Sequence, residues 1–419
     1  MKKGTKNRRP LMMAVLCALC LVTVSGVAFS QIIPWQAPQH RVEYRELGYQ
    51  HFNQIPADGS FITSLALGSD GRVYGATTGH QAYLFAYSDE SNQVKPLGYL
   101  PGVEGVHHSL AVGADGAVYI GGGKNVIKQY PIKYDWGAGL DHVSEDLWIE
   151  LEERYASYRG GHLYRYDPAA EARVGLADTP LKVRDLGIPV RGDGIYCLTV
   201  DPDRNALYGI SYPHGHFFVY DIRLGRRIDK GSIFEQVLFG GPSIRTLRSL
   251  PRELVVDGQG FVYASTDDGK IIRYDPEKGE LETLDIAIPG EYMTVVDAWA
   301  KDGNVIYGGT SEGFLFRFNP TRGRIDNLGK PAVYQRIRGL TIGDDGKVYG
   351  LCGDRDYDNM LFSYDPRAGV FDVIGSINVD RSPHYAWRAH QFDAMITGRD
   401  GTIYMGESER KGHLFMYIP

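Results

Sequence analysis

The chain has 419 residues, 45 basic and 51 acidic, for a formal net charge of −6. Without a basic block it lacks the electrostatic footprint of a nucleic-acid-binding protein, so nucleic acid is not expected as a partner. Four cysteines, with Cys17 and Cys20 close to the start, leave only Cys197 and Cys352 further on and exclude a disulfide scaffold.

Met1-Lys2-Lys3 and Arg8-Arg9 precede an apolar run from Leu11 to Phe29, and Ala28-Phe29-Ser30 is a small-x-small cleavage site before Gln31. This pattern predicts residues 1–30 as an export signal. The mature protein is then periplasmic or extracellular, with no stable membrane insertion. An uncleaved anchor is the alternative, because the run approaches the ~20 residues that span a bilayer.

From about residue 60 onward one pattern recurs: a short apolar run, an Asp-Gly turn, Val-Tyr-Gly, a variable loop, Leu-Phe-x-Tyr-Asp-Pro and a closing Leu-Gly. Clear copies are Ser64–Gly75, Ser109–Tyr119 and Gly339–Gly350, and weaker ones start near Leu198, Leu254, Val296 and Met395. A period of roughly 45–55 residues, holding four strand-sized pieces, is the signature of a β-propeller blade. The Asp-Gly pairs (Asp70-Gly71, Asp115-Gly116, Asp302-Gly303, Asp345-Gly346, Asp400-Gly401) fall between the first and second strands of a copy. There glycine supplies the positive φ of a tight hairpin. Tyr-Asp-Pro at Tyr166–Pro168, Tyr274–Pro276 and Tyr364–Pro366 makes type I turns between the third and fourth. Tyr74, Tyr119, Tyr208, Tyr263, Tyr307, Tyr349 and Tyr404 occupy one repeat column and are expected to pack between blades.

The last copy stops at Leu414-Phe415-Met416-Tyr417 with no fourth strand, and Arg45-Glu46-Leu47-Gly48 near the start reads like one. The expected fold is therefore all-β, a single seven-bladed propeller over residues 31–419. It has four antiparallel strands per blade, and the N-terminal strand closes the last blade.

In such a ring the loops that precede the first strand and those that join the second to the third share one face. Here these are long and individual, whereas the turns on the other face are expected to be short. Residues 121–160 form an insertion in the second blade, containing Trp136 and a helix predicted over Val143–Tyr155. Gln236–Leu250 and Asn378–Gln391 are also long, and the latter holds Trp387 and His390. Variable aromatic loops on a rigid scaffold are where binding usually resides.

Aligning the copies brings one residue per blade to the mouth of the central channel: Thr63, His108, Tyr196, Arg252, Val295, Arg338 and Asp393. A scaffold column would repeat one residue type, and this one does not. His107, Tyr212, His214, His216, Arg248, Arg336 and His390 lie nearby. Within this set, His108, Tyr196, His107 and Tyr212 are candidates for proton transfer. Arg252, Arg338, Arg248, His214, His390, Trp136 and Trp387 are candidates for substrate binding. Abstracting a proton α to a uronate carboxylate needs cations on that carboxylate, together with an acid and a base. Arginine suits bidentate carboxylate recognition. The chemistry is β-elimination of an acidic polysaccharide. His214 and His216 could also hold a divalent metal, although no third ligand accompanies them. A glycoside hydrolase would need paired carboxylates from Asp393, Glu104, Asp354 or Asp356.

The repeat count, the export signal and the His/Tyr/Arg mouth resemble the seven-bladed propeller polysaccharide lyases, particularly the ulvan lyases, from about Val42 to Pro419. The resemblance implies proton transfer by His107 or His108 and by Tyr196 or Tyr212, with Arg252 or Arg338 neutralising a uronate. It rests on place in the repeat rather than on a motif string. The structural zinc that some of those lyases carry does not transfer to Cys197 and Cys352, which stand apart from one another in sequence. The alternative function is a non-catalytic propeller that binds a glycan or a protein partner through the same face.

Overall fold

The computed structural model describes residues 41–49, 52–124, 158–170, 175–234, 250–291, 294–332, 336–353, 359–377, 392–408 and 412–419. They form seven four-stranded antiparallel sheets and one small hairpin, Gly48–Tyr49 with Phe52–Gln54. The innermost strands of the seven blades are Phe61–Leu67, Leu110–Val112, Gly194–Asp201, Val255–Val256, Val296–Asp302, Ile337–Ile342 and Phe392–Thr397. Each of them lies against the next, and the last returns to the first, so the sheets close into a ring. Among the described residues no helix is long and apolar enough to cross a membrane.

The N-terminal strand completes the ring as the sequence predicts. Arg41–Glu46 pairs antiparallel with His413–Ile418 in unbroken register, from Arg41 opposite Ile418 to Glu46 opposite His413. The seventh sheet is thus built from both ends of the chain.

The core lies in the seams between blades. Seven clusters of buried apolar residues each draw on two neighbouring blades, as Tyr74 and Tyr166 do at the first seam and Tyr349 and Tyr417 at the sixth. Ring contacts cross the same seams, including Tyr87 with Tyr404 at 5.3 Å and Tyr208 with Tyr274 at 5.6 Å between centroids. The tyrosine column does more than fill space. Tyr74, Tyr119, Tyr263, Tyr349 and Tyr404 each donate their hydroxyl to an aspartate of their own first turn: Asp70, Asp115, Asp257, Asp345 and Asp400. The aspartate that shapes the turn therefore also satisfies a phenol whose ring is buried.

The Val-Tyr-Gly and Leu-Phe elements explain each other. Gly75, Gly209, Gly308 and Gly350 sit directly opposite Phe85, Phe218, Phe316 and Phe362 on the neighbouring strand. A Cβ on any of these glycines would fall 2.0–2.4 Å from the facing ring. Glycine is required because the phenylalanine ring lies across its backbone.

Two expectations are corrected. The turns between third and fourth strands are not all short, because in the second blade residues 167–183 separate His162–Tyr166 from Arg184–Gly187. Part of this segment lies along the first blade, where the Tyr99 N–H donates to the Thr179 carbonyl at 3.0 Å and the Leu181 N–H to the Tyr99 carbonyl at 2.7 Å. It covers backbone groups of an outer strand that would otherwise form an open edge. In the fifth blade, Asp302 pairs directly with Val305, which leaves a two-residue turn, Gly303-Asn304. The corresponding connection in the first blade, between paired Leu67 and Val73, is longer. Anchoring the fifth copy on its Asp-Gly therefore displaces its channel residue from Asp297 to Val295.

The export signal, the helix over Val143–Tyr155, and Trp136, Trp387, Arg248 and His390 fall outside the described residues.

If Gly308 is kept small only by Phe316, Gly308→Ala should lower stability by about 1–3 kcal/mol in chemical denaturation. Adding Phe316→Leu should recover part of that loss.

Candidate functional site

The channel mouth is made by one irregularity repeated around the ring. The ladder between the first two strands shifts register at Thr63, Tyr196, Asp297, Arg338 and Asp393. In the second and fourth blades the innermost strand is assigned only from Leu110 and Val255, just after His108 and Arg252. A bulge withdraws one residue from the ladder and re-aims its side chain. Thus the seven blades present Thr63, His108, Tyr196, Arg252, Asp297, Arg338 and Asp393 at one level.

Below that level the axis is apolar. Two residues further along the strands stand Leu65, Leu110, Leu198, Leu254, Trp299, Leu340 and Met395. Five of these (all but Trp299 and Leu340) line a cavity of about 160 Å³ together with Thr63, Ser64, His108, Glu253, Asp393 and Ala394. The cavity has a polar rim and an apolar floor, the usual arrangement for holding a small group in a fixed orientation.

The arginines are tied to aspartates of neighbouring blades and, in the pair of Arg252 with Asp393, the fourth blade is tied to the seventh. Asp393 Oδ1 accepts from Arg252 Nη1 at 2.5 Å and from Arg338 Nη1 at 2.8 Å. Arg338 Nε also donates to the Gly353 carbonyl at 3.2 Å. Asp297 takes a two-point pair from Arg336, with Nε at 2.5 Å and Nη2 at 3.2 Å. Arg336 holds a left-handed backbone, φ 65°, a conformation that disfavours side chains with a Cβ. Arg252 Nε lies 3.7 Å from Asp297 Oδ1, too far for a hydrogen bond, and among the described residues no other acceptor is within bonding distance. Among the described residues the network joins the fourth, fifth, sixth and seventh blades through Arg252, Arg336, Arg338, Asp297 and Asp393. Desolvation would raise the Asp393 pKa, but Arg252 and Arg338 hold it well below the usual carboxylate value.

His107, His108, Tyr196 and Tyr212, the four candidates for proton transfer, are gathered into one aromatic cluster. His108 lies 5.6 Å from Tyr196, and His107 lies 5.8 Å from Tyr196 and 5.4 Å from Tyr212, between ring centroids. Of the four, His108 lines the cavity. Tyr212 is buried behind, and its hydroxyl donates to the Lys124 carbonyl. Burial, with Arg252 adding to it, lowers the His108 pKa to about 3. Its imidazole is neutral near pH 7 and can accept a proton only weakly. Burial likewise raises Tyr196 to about 12.

Glu253 is the cavity residue the repeat alignment passes over. Its column otherwise holds Ser64, Ser109, Cys197, Ala298, Gly339 and Ala394, all small. That break in a small-residue column was the available signal. The Glu253 side chain does a job that backbone does elsewhere. Between the second and third blades, the Leu198 N–H donates to the His108 carbonyl. Between the fourth and fifth, the equivalent Trp299 N–H donates to Glu253 Oε2 at 2.8 Å. Burial raises the Glu253 pKa to about 8; nearby Asp297 adds to the rise, while the Trp299 hydrogen bond and Arg252 oppose it.

His214 and His216 do not gather a metal-ligand trio. His214 Nδ1 meets Asp193 at 2.6 Å, and His216 Nδ1 meets Asp229 at 3.0 Å. Asp193 also accepts from Ser211 at 2.5 Å, and its bond to His214 raises that imidazole's pKa. His216 matches His162, which pairs with Asp185 at the same place in the second blade. Among the described residues no group of three or more His, Cys, Asp or Glu is placed to hold a metal ion. Cys197 and Cys352 are both free and buried. Of the carboxylates considered for a hydrolase pair, Asp393 lines the cavity, and Asp354 and Asp356 fall outside the described residues.

No protein-family profile matches the chain, and no curated protein sequence matches it. Solved structures do. A virginiamycin B lyase from Staphylococcus aureus superposes with a TM-score of 0.59 at 11% identity, covering 91% of this chain and 100% of its own. A catalytically inactive form of that lyase, with quinupristin, gives 0.57 at 12% identity, covering 90% and 100%. The extracellular domain of a one-component system from B. thetaiotaomicron gives 0.53 at 13% identity; 90% of this chain is covered, but only 39% of that longer one. At these identities the likeness is one of fold, and it agrees with the propeller seen here.

Two measurements check the electrostatics. Asp393→Ala leaves Arg252 and Arg338 without their shared acceptor, and should destabilise the ring by about 3–5 kcal/mol in chemical denaturation. Glu253 has a folded-state pKa above its ordinary value of 4.5. Its stabilising contribution is therefore full below pH 4.5 and is lost as pH rises through about 8. Glu253→Gln should thus gain in melting temperature relative to wild type as pH rises from about 4.5 to 8.

Proposed function

We propose that the chain is an exported propeller that binds an acidic polysaccharide at the channel mouth, seating one anionic sugar unit over the axial cavity. The observation that carries this reading is the charge arrangement. Three guanidinium groups, Arg252, Arg336 and Arg338, converge on Asp297 and Asp393 at the mouth, and among the described residues the Arg252 Nε N–H meets no hydrogen-bond acceptor, so a donor of a fixed cation stands at the mouth. The apolar floor suits the C–H face of a sugar ring, and His108, which lines the cavity, offers a polar partner to its hydroxyls. The leader-like first thirty residues supply the expectation of export.

A second reading is cleavage of the same polymer by β-elimination. It is favoured by the contact of His108 with Tyr196 beside the cavity, an acid and a base of the types the chemistry requires. Plain binding is preferred because Arg252 and Arg338 are already engaged by Asp393, and Arg338 by the Gly353 carbonyl as well. A lyase would have to turn those cations onto the substrate's carboxylate.

Affinity electrophoresis separates the outcomes. Mature protein should be retarded in gels containing polygalacturonate or alginate and not in gels containing neutral dextran, and His108→Ala should weaken the retardation. Equal mobility in all gels would overturn the binding reading. Incubation with the same polymers tests cleavage. A growing ultraviolet absorbance from unsaturated uronate, lost in His108→Ala or Tyr196→Phe, would establish the lyase.

A further inference from the structure

Glu253 adds a titratable carboxyl beside the axial network, next to the Arg252 guanidinium that meets Asp297 and Asp393. Its carboxyl lines the cavity beside Asp393, His108 and Thr63, with one oxygen held by the Trp299 N–H. An anion entering the cavity would therefore meet this carboxyl directly.

We propose that Glu253 is the specificity-determining group of the axial cavity, which takes an anionic group together with a proton that rides on Glu253. The inference rests on the anion-binding reading above and adds to it which residue admits the anion. Two independent features of the site point the same way. First, Glu253 is the one long side chain in a column of Ser, Cys, Ala and Gly, so it fills space the other blades leave open. Second, the Arg252 guanidinium is buried and, among the described residues, its Nε N–H has no acceptor within hydrogen-bonding distance, so this donor is placed to meet a ligand. Such a donor is costly to leave unmade.

The groups that bear on Glu253 are Arg252 on its own segment, Asp297 of the fifth blade beside it and Cys197 of the third blade. His108 and Asp393 share the cavity with it. His108 is neutral and Asp393 ionised across the accessible range, so neither changes charge between pH 6 and 9. Glu253, raised to about 8, does. As a neutral acid it donates a hydrogen bond to a bound carboxylate; once ionised it repels that carboxylate in a site of low dielectric.

Sodium D-glucuronate is a sufficient probe, with D-glucose as the neutral control and binding read by thermal shift and calorimetry. In wild type, glucuronate should bind about tenfold more weakly at pH 9 than at pH 6, with proton uptake at about pH 8 to 9 revealed by buffers of different ionisation enthalpy. In Glu253→Gln, which keeps an oxygen for the Trp299 N–H, binding should persist at both pH values without that difference. Equal wild-type affinity at pH 6 and 9, or no glucuronate response at either, overturns the proposal. Retention on polymeric acidic glycans in either case would leave the broader reading standing. Loss of polymer retention would instead remove the broader reading.

Discussion

Asp393 holds two guanidinium groups that belong to two other blades, and the architecture of the mouth follows from that arrangement. Arg252 reaches it from the fourth blade and Arg338 from the sixth, while Arg336 of the sixth anchors Asp297 of the fifth. Elsewhere in the ring each blade touches its neighbours through apolar seams. Here charge also ties the fourth blade to the seventh, which are not neighbours, through Arg252 and Asp393. Pairs of this kind stabilise little against an apolar replacement, but removing one partner is costly. The network therefore fixes the geometry of the mouth more than it adds to the stability of the ring.

That geometry also decides how the candidate chemistry is weighed. Arginines free to move onto a substrate would make the mouth resemble an elimination site, whereas arginines already bonded to aspartates make a preformed, partly neutralised pocket. The neutral His108 and the high-pKa Tyr196 belong to the second description as readily as to the first. The Glu253 carboxyl, pushed up to about 8 by burial, is the group through which the pocket would respond to its surroundings.

The ring was legible in the sequence because its repeat is enforced by contacts within each blade. The glycine that admits a phenylalanine, the aspartate that caps a tyrosine and the Asp-Gly turn recur because each blade solves the same packing problem. The closing strand was legible for the same reason, as a fourth strand displaced to the other end of the chain. The site was less so. Its residues sit at bulges, where the period-two alternation that register arguments depend on is interrupted. In the fifth blade a shortened turn moved the channel residue from Val295 to Asp297, and with it half of an ion pair went unseen. Glu253 was not legible because the variable residues of the mouth lie in one repeat column, while Glu253 interrupts the neighbouring column of small residues. Which arginine pairs with which aspartate depends on which positions of different blades meet at the mouth, and nothing in a linear pattern records those distances.

The pairing of Arg41–Glu46 with His413–Ile418 also sets an order of events. The first described strand of the ring has no partner until the last one exists, so among the described residues no other strand pairing spans so much chain. Until then both the first strand and the seventh blade present open edges, the feature that invites pairing between chains. Contacts of such long range are slow to form, so the ring would close last at this seam. Moving the break in the chain to any other surface turn would make the seam local, and would transfer the long wait to a different blade.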